Sequence, residues 1–174
     1  NVGVLIGNGD GTFQEQQAFS SDEGLYSVVA ADVNGDGNAD LIVGEANTDN
    51  VGVLLGNGDG SFQQQQSRAT DGTPRSLAVA DVNGDGKPDL VITNSGNYGG
   101  YNVGVLLSNG DGTFQDQVSF ETGNGPKSVA VTDLDGDGNP DLIVANSGDG
   151  DVDVFLGNGD GTFGTATTYA APNQ

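Results

Sequence analysis

The chain has 174 residues with 25 acidic and 4 basic side chains, a formal charge of −21 at pH 7, and no Cys, His, Met or Trp. Without Cys and His there are no disulfides, no Cys/His zinc sites, and none of the commonest general bases and nucleophiles. A polyanion of this kind excludes nucleic acid as a partner and is repelled by anionic membrane surfaces, and no apolar run reaches the roughly 18 residues of a membrane-spanning helix, so membrane insertion is not expected.

High acidity, few aromatics and 31 glycines would also suit a disordered chain. Repetition argues against that. Asp32-Val-Asn-Gly-Asp-Gly-Asn-Ala-Asp40 returns as Asp81 to Asp89 and as Asp133 to Asp141, at offsets of 49 and 52 residues. A second motif, Asn-Gly-Asp-Gly-Thr/Ser-Phe, begins at Asn8, Asn57, Asn109 and Asn158, at offsets of 49, 52 and 49. Two unrelated motifs keep one register, so the period is structural.

In chain order, residues 1–20 read as half a unit, two strands named C and D. Three full units follow at 25–70, 74–121 and 126–174, each with four short strands A to D. In the middle unit, strand A is Ser76 to Ala80, strand B Leu90 to Thr93 and strand C Val103 to Leu107. These continuous apolar runs suit strands buried on both faces. Asn109-Gly110-Asp111-Gly112 has the chemistry of a tight hairpin, and a polar strand D starts at Phe114. Gln63 to Gln66 is its counterpart one unit earlier. A polar outer strand on a buried inner set is expected of a β-propeller blade. The predicted fold is therefore all-β: a propeller of four-stranded antiparallel blades, about three and a half of them. A parallel β-helix needs shorter coils, and a sandwich gives no reason for strict repetition. Three and a half blades fall short of the four to eight of a closed ring. Self-association or a longer parent chain is expected to complete it, and the first residue, Asn1, is consistent with a processed or excised chain.

The loop between strands A and B reads D-x-[DN]-x-D-G-x-x-D. Alternate positions aim several hard oxygens at one centre, and calcium takes six to eight such ligands. In the first loop the ligands are expected from the side chains of Asp32, Asn34, Asp36 and Asp40 and the carbonyl of Asn38. The second set is Asp81, Asn83, Asp85 and Asp89 with the carbonyl of Lys87. The third is Asp133, Asp135, Asp137 and Asp141 with the carbonyl of Asn139. Three Ca²⁺ ions, one per loop, are expected, with the third loop tightest because it alone has four carboxylates. The opening of the motif matches an EF-hand, but that site needs a Glu at position twelve and flanking helices. Here position twelve is Val43, Ile92 or Val144, inside an apolar strand.

The unit V-A-D-V-N-G-D-G-x-P-D-L followed by V-G-V-L-L-G-N-G-D-G-T-F resembles the FG-GAP, or VCBS-type, repeat over essentially the whole chain. It is similar to the calcium-bearing blades of integrin α-subunit propellers and of many secreted bacterial proteins. The resemblance implies a propeller, calcium in each A–B loop, and an extracellular, secreted or cell-surface setting. The Phe-Gly and Gly-Ala-Pro signatures of the integrin version are blurred, so integrin ligand specificity does not carry over.

The expected function is a binding, adhesion or structural scaffold module, not an enzyme, with no catalytic residues assigned. The alternative is a carbohydrate-active protein or its accessory domain, a lectin or a polysaccharide lyase or hydrolase. The isolated pair Glu15 and Asp22 reads as solvated charge. The A–B and C–D connections share one face, and the B–C and D–A connections share the other. That second face carries the variable sequence, including Asn94 to Asn102, with Tyr98 and Tyr101 inside it and Tyr26 nearby. These three tyrosines are the candidate partner contacts for a protein or carbohydrate ligand.

Overall fold

The computed structural model describes residues 1–21, 24–96 and 100–171. Among them there is no helix. Strands β1 (Val2–Val4) and β2 (Gln17–Phe19) form a two-stranded half blade. The first full blade is β3 (Leu25–Ala31), β4 (Asp40–Glu45), β5 (Asn50–Leu54) and β6 (Gln66–Ala69). The second is β7 (Thr73–Ala80), β8 (Asp89–Ser95), β9 (Asn102–Leu106) and β10 (Val118–Glu121). The third is β11 (Pro126–Thr132), β12 (Asp141–Asn146), β13 (Asp151–Phe155) and β14 (Thr167–Ala170). Each blade is an antiparallel meander in sequence order. The inner strands β3, β7 and β11 pack side by side in an open, propeller-like arrangement.

The apolar runs explain the stacking. Successive side chains of a strand point to opposite faces, so a continuous apolar strand feeds two interfaces. Ile42 and Val53 pack with Leu90, Ile92 and Leu106 of the second blade, whereas their neighbours Val43 and Leu54 pack with Val2 of the half blade. Val91, next to Leu90, turns the other way, to Leu142 and Phe155 of the third blade. In the three full blades the Phe of the Asn-Gly-Asp-Gly motif is the knob toward the preceding blade: Phe62, Phe114 and Phe163 each join the interface on that side. Backbone bonds add to this packing. Gly112 N–H donates to the Val33 carbonyl at 3.2 Å, and Gly161 N–H to that of Val82 at 3.1 Å.

One sequence expectation needs correction. Strand D does not begin at Phe114, which makes only an isolated bridge with Ser108, and the ladder resumes at Val118. Of Gln63 to Gln66 only Gln66 is in a strand. The intervening residues leave the ladder because the Phe turns into the interface and a Gln turns inward over the blade. Gln65 covers Gly52, and Gln117 covers Gly104. Burial of the inner strand on both faces holds in the middle blade, where no residue of β7 is exposed. Along β3 partial burial alternates with exposure, because the neighbouring half blade has only two strands and leaves that face uncovered.

Candidate metal loops and the opposite face

Each A–B loop is a chain of carboxylate-to-backbone turns. In the first, Asp32 accepts from the N–H groups of Gly35 at 2.8 Å and Gly37 at 2.8 Å, and Asp36 accepts from Asn38 at 2.8 Å. The second loop repeats this with Asp81 and Asp85, and the third with Asp133 and Asp137. The chain can fold this tightly because positions four and six are both glycines at positive φ. Gly35 sits at 73° and Gly37 at 85°, a region that costs an L side chain steric strain.

The ninth-position carboxylates are the best buried members: Asp40 and Asp89 are fully buried and Asp141 nearly so. Each spans the blade. One oxygen accepts from the second residue of its own loop, Val33, Val82 or Leu134, at 2.7–3.0 Å. The other accepts from Gly56, Ser108 or Gly157, the residue that opens the C–D hairpin, at 2.7–2.8 Å. Position nine therefore holds the loop against the hairpin and faces the loop interior at the same time. Burial raises the Asp89 carboxyl above the ordinary value against the pull of the Ser108 and Val82 N–H groups, and the Asp85 and Asp81 charges push it further up. A cation in the loop would offset that cost.

The donor set suits a hard cation. In the third loop, carboxylate oxygens of Asp133, Asp135 and Asp141 lie within 4.8 Å of one another. Oxygens on opposite sides of a calcium ion, each 2.3–2.6 Å from it, are separated by about that distance. Among the described residues this is the one place where three carboxylates converge so closely. The first two loops carry Asn34 and Asn83 at the third position, and the second also holds a cation, Lys87 Nζ lying 3.5 Å from Asp85. The side chains of Asn38 and Asn139 and the stem of Lys87 rest on Gly58, Gly159 and Gly110 of the hairpins.

On the opposite face, Tyr26 and Tyr101 line one cavity and are both exposed. Tyr98 lies outside the described residues, as does Asp22. Two basic residues that sequence reasoning passed over, Arg75 and Lys127, line the same cavity. The signal was present: Tyr26, Arg75 and Lys127 occupy one repeat position, at offsets of 49 and 52.

Comparison with known families matches this pattern four times. A model described as FG-GAP-like repeat matches residues 1–43, 39–92, 81–144 and 133–174. The chain belongs to the FG-GAP-like repeat family. Consecutive matches overlap at 39–43, 81–92 and 133–144, so the family unit runs from acidic loop to acidic loop, whereas the folded blade runs from strand A to strand D. No curated protein matches this FG-GAP-like chain. Among solved structures it is similar to the Tc holotoxin pore of Photorhabdus luminescens, at 18% identity and a TM-score of 0.42, covering 92% of this chain and 10% of that one. It is also similar to the V. cholerae biofilm matrix protein Bap1, at 20% identity and a TM-score of 0.40, covering 79% and 27% respectively. The FG-GAP-like chain thus spans about a tenth and about a quarter of these two structures.

Proposed function

We propose that this chain is a calcium-stabilised extracellular propeller module that binds or scaffolds and does not catalyse. The observation that carries the reading is the meeting of Asp133, Asp135 and Asp141 oxygens within 4.8 Å in a loop offering oxygen donors. The same backbone course recurs in the other two loops, so three ions are assigned, with the third loop tightest. Calcium would supply neutralisation of charge that the fold otherwise crowds together. The clustered carboxylates are committed to these loops, which favours binding over acid–base chemistry. An extracellular setting fits millimolar calcium, where extracellular modules bind. Calorimetric titration with calcium tests the reading: three sites are expected, and absence of binding at millimolar calcium would overturn it.

The exposed faces of the end blades suit either a second copy or further blades of a longer chain. Leu134 and Leu156 of the third blade are each 47% exposed, yet their repeat equivalents Val33 and Leu55 are buried against Leu106 and Phe114. The equivalents of those two partners in the half blade, Leu5 and Phe13, are 52% and 63% exposed. A second copy docked head to tail would restore at these faces the contact already made between the first and second blades, which is a heterologous interface.

A further inference from the structure

In each full blade the inner strand starts with a β-bulge. Leu25 pairs with Glu45 and Ser27 with Gly44, which leaves Tyr26 as the extra residue. Pro74 and Ser76 leave Arg75 in the same way, and Pro126 and Ser128 leave Lys127. A bulge re-aims the side chain it carries. All three bulged side chains line one cavity of about 720 Å³, at the end of the strands opposite the metal loops. Ser95, Gly96 and Tyr101 close its side.

The charge of this cavity runs against the molecule. The chain has four basic residues against 25 acidic ones, and two of the four meet here while no Asp or Glu is in the lining. The other two are paired, Arg68 with Asp116 and Lys87 with Asp85. Among the described residues, Arg75 and Lys127 have no ion pair. Arg75 is also pre-set: its Nε donates to Ser95 Oγ at 2.6 Å, and its guanidinium lies 4.3 Å from the Tyr26 ring centroid. That fixes the plane of the fork and leaves its terminal amino groups for a planar anion. The acidic loops begin at Asp81, six residues up the strand, or roughly 20 Å at the rise of a β-strand. That is about two Debye lengths at physiological salt, so their field at the cavity is largely screened.

We propose that this cavity is a binding site for an acidic sugar. The sugar carboxylate is held by Arg75 and Lys127, and its ring packs on Tyr101 and the edge of Tyr26. The inference names a ligand class for the binding module proposed above and needs no calcium at the site. A free carboxylate would use the two cations but not the aromatic surface, and a neutral sugar would use the aromatic surface but not the cations.

The test is a two-dimensional amide NMR titration of calcium-loaded protein with glucuronate, with glucose and acetate as separate probes. Saturable glucuronate shifts are expected at Tyr26, Arg75, Ser95, Tyr101 and Lys127, with glucose and acetate each about tenfold weaker or more. Lys127→Gln, at an exposed site, and Arg75→Gln are each expected to weaken glucuronate about tenfold, with Arg68→Gln, outside both the cavity and the acidic loops, unchanged. No saturable shift at these amides, an acetate response equal to that of glucuronate, or full binding by both cavity variants would overturn the site. Melting the same samples with and without calcium separates the two readings. A calcium-dependent melt with glucuronate silent defeats the sugar site alone.

Discussion

Asp89 Oδ1 accepts a 2.8 Å hydrogen bond from the backbone N–H of Ser108, while its Oδ2 accepts from Val82 at 3.0 Å. One carboxylate therefore fastens the acidic loop to the hairpin that follows strand C. Asp89→Ala leaves two backbone donors without this acceptor and is expected to cost roughly 2–4 kcal/mol even in chelator, whereas Asp89→Asn, which keeps one acceptor, costs less. Urea unfolding in chelator checks this. A loss that appears only with calcium present would mean that Asp89 acts through the ion alone.

Asp135 is the position that distinguishes the third loop from the first two, where Asn34 and Asn83 stand. Asp135→Asn is expected to weaken the tightest calcium site toward the other two, and Asn34→Asp to strengthen the first, because charge count tunes affinity. Calorimetry on the two variants measures both. Chelator should lower the melting temperature of the parent protein, and each variant should narrow or widen that difference accordingly.

Lys87 places its ammonium 3.5 Å from Asp85, a candidate ligand of the second loop. An incoming cation must displace or tolerate it. Lys87→Ala should tighten the second site selectively, and the gain should shrink at high salt. Unchanged second-site affinity would show that the ammonium swings clear at no cost.

Asp153, 2% exposed, ties the third blade together: Thr168 donates to it at 2.6 Å, Asn146 at 2.7 Å and Gly123 at 2.9 Å. Burial pulls its carboxyl up, but these three hydrogen bonds outweigh it and hold the group below the ordinary value. A carboxyl with a depressed folded pKa favours folding above its unfolded value, and that contribution is lost as pH falls through the folded value. The stability difference between the parent and Asp153→Ala is therefore expected to hold at roughly 1–3 kcal/mol near neutrality and to narrow below about pH 4. Denaturant melts across pH in chelator measure it, and a flat difference would contradict the assignment.

Leu156→Asp is expected to abolish concentration-dependent self-association in sedimentation velocity, as is Phe13→Asp at the other end. Both residues are already exposed, so the fold should tolerate the charge. A parent chain monomeric at every concentration would rule out the head-to-tail contact.

The blade, its period and its loops were legible in the order of residues. The glycines of Asp32 to Asp40 and of Asn57 to Gly60 need backbone angles that other residues resist, and continuous apolar runs such as Leu90 to Ile92 must be buried on two sides. Those are local constraints, legible wherever they recur. The tertiary structure alone decided where the ladder breaks, because Phe114 turns toward the preceding blade and Gln117 turns inward over Gly104, and neither choice exists until the neighbouring strands are in place. It also exchanged the parts of one device. Asp153 on strand C, the counterpart of Gly104, fills in the third blade the space that Gln117 fills in the second, and the third-blade counterpart of Gln117 is Ala166. Most of all it gathered Tyr26, Arg75 and Lys127. They lie about fifty residues apart and share a repeat position, but a repeat position becomes a shared cavity only when the bulged inner strands stand side by side.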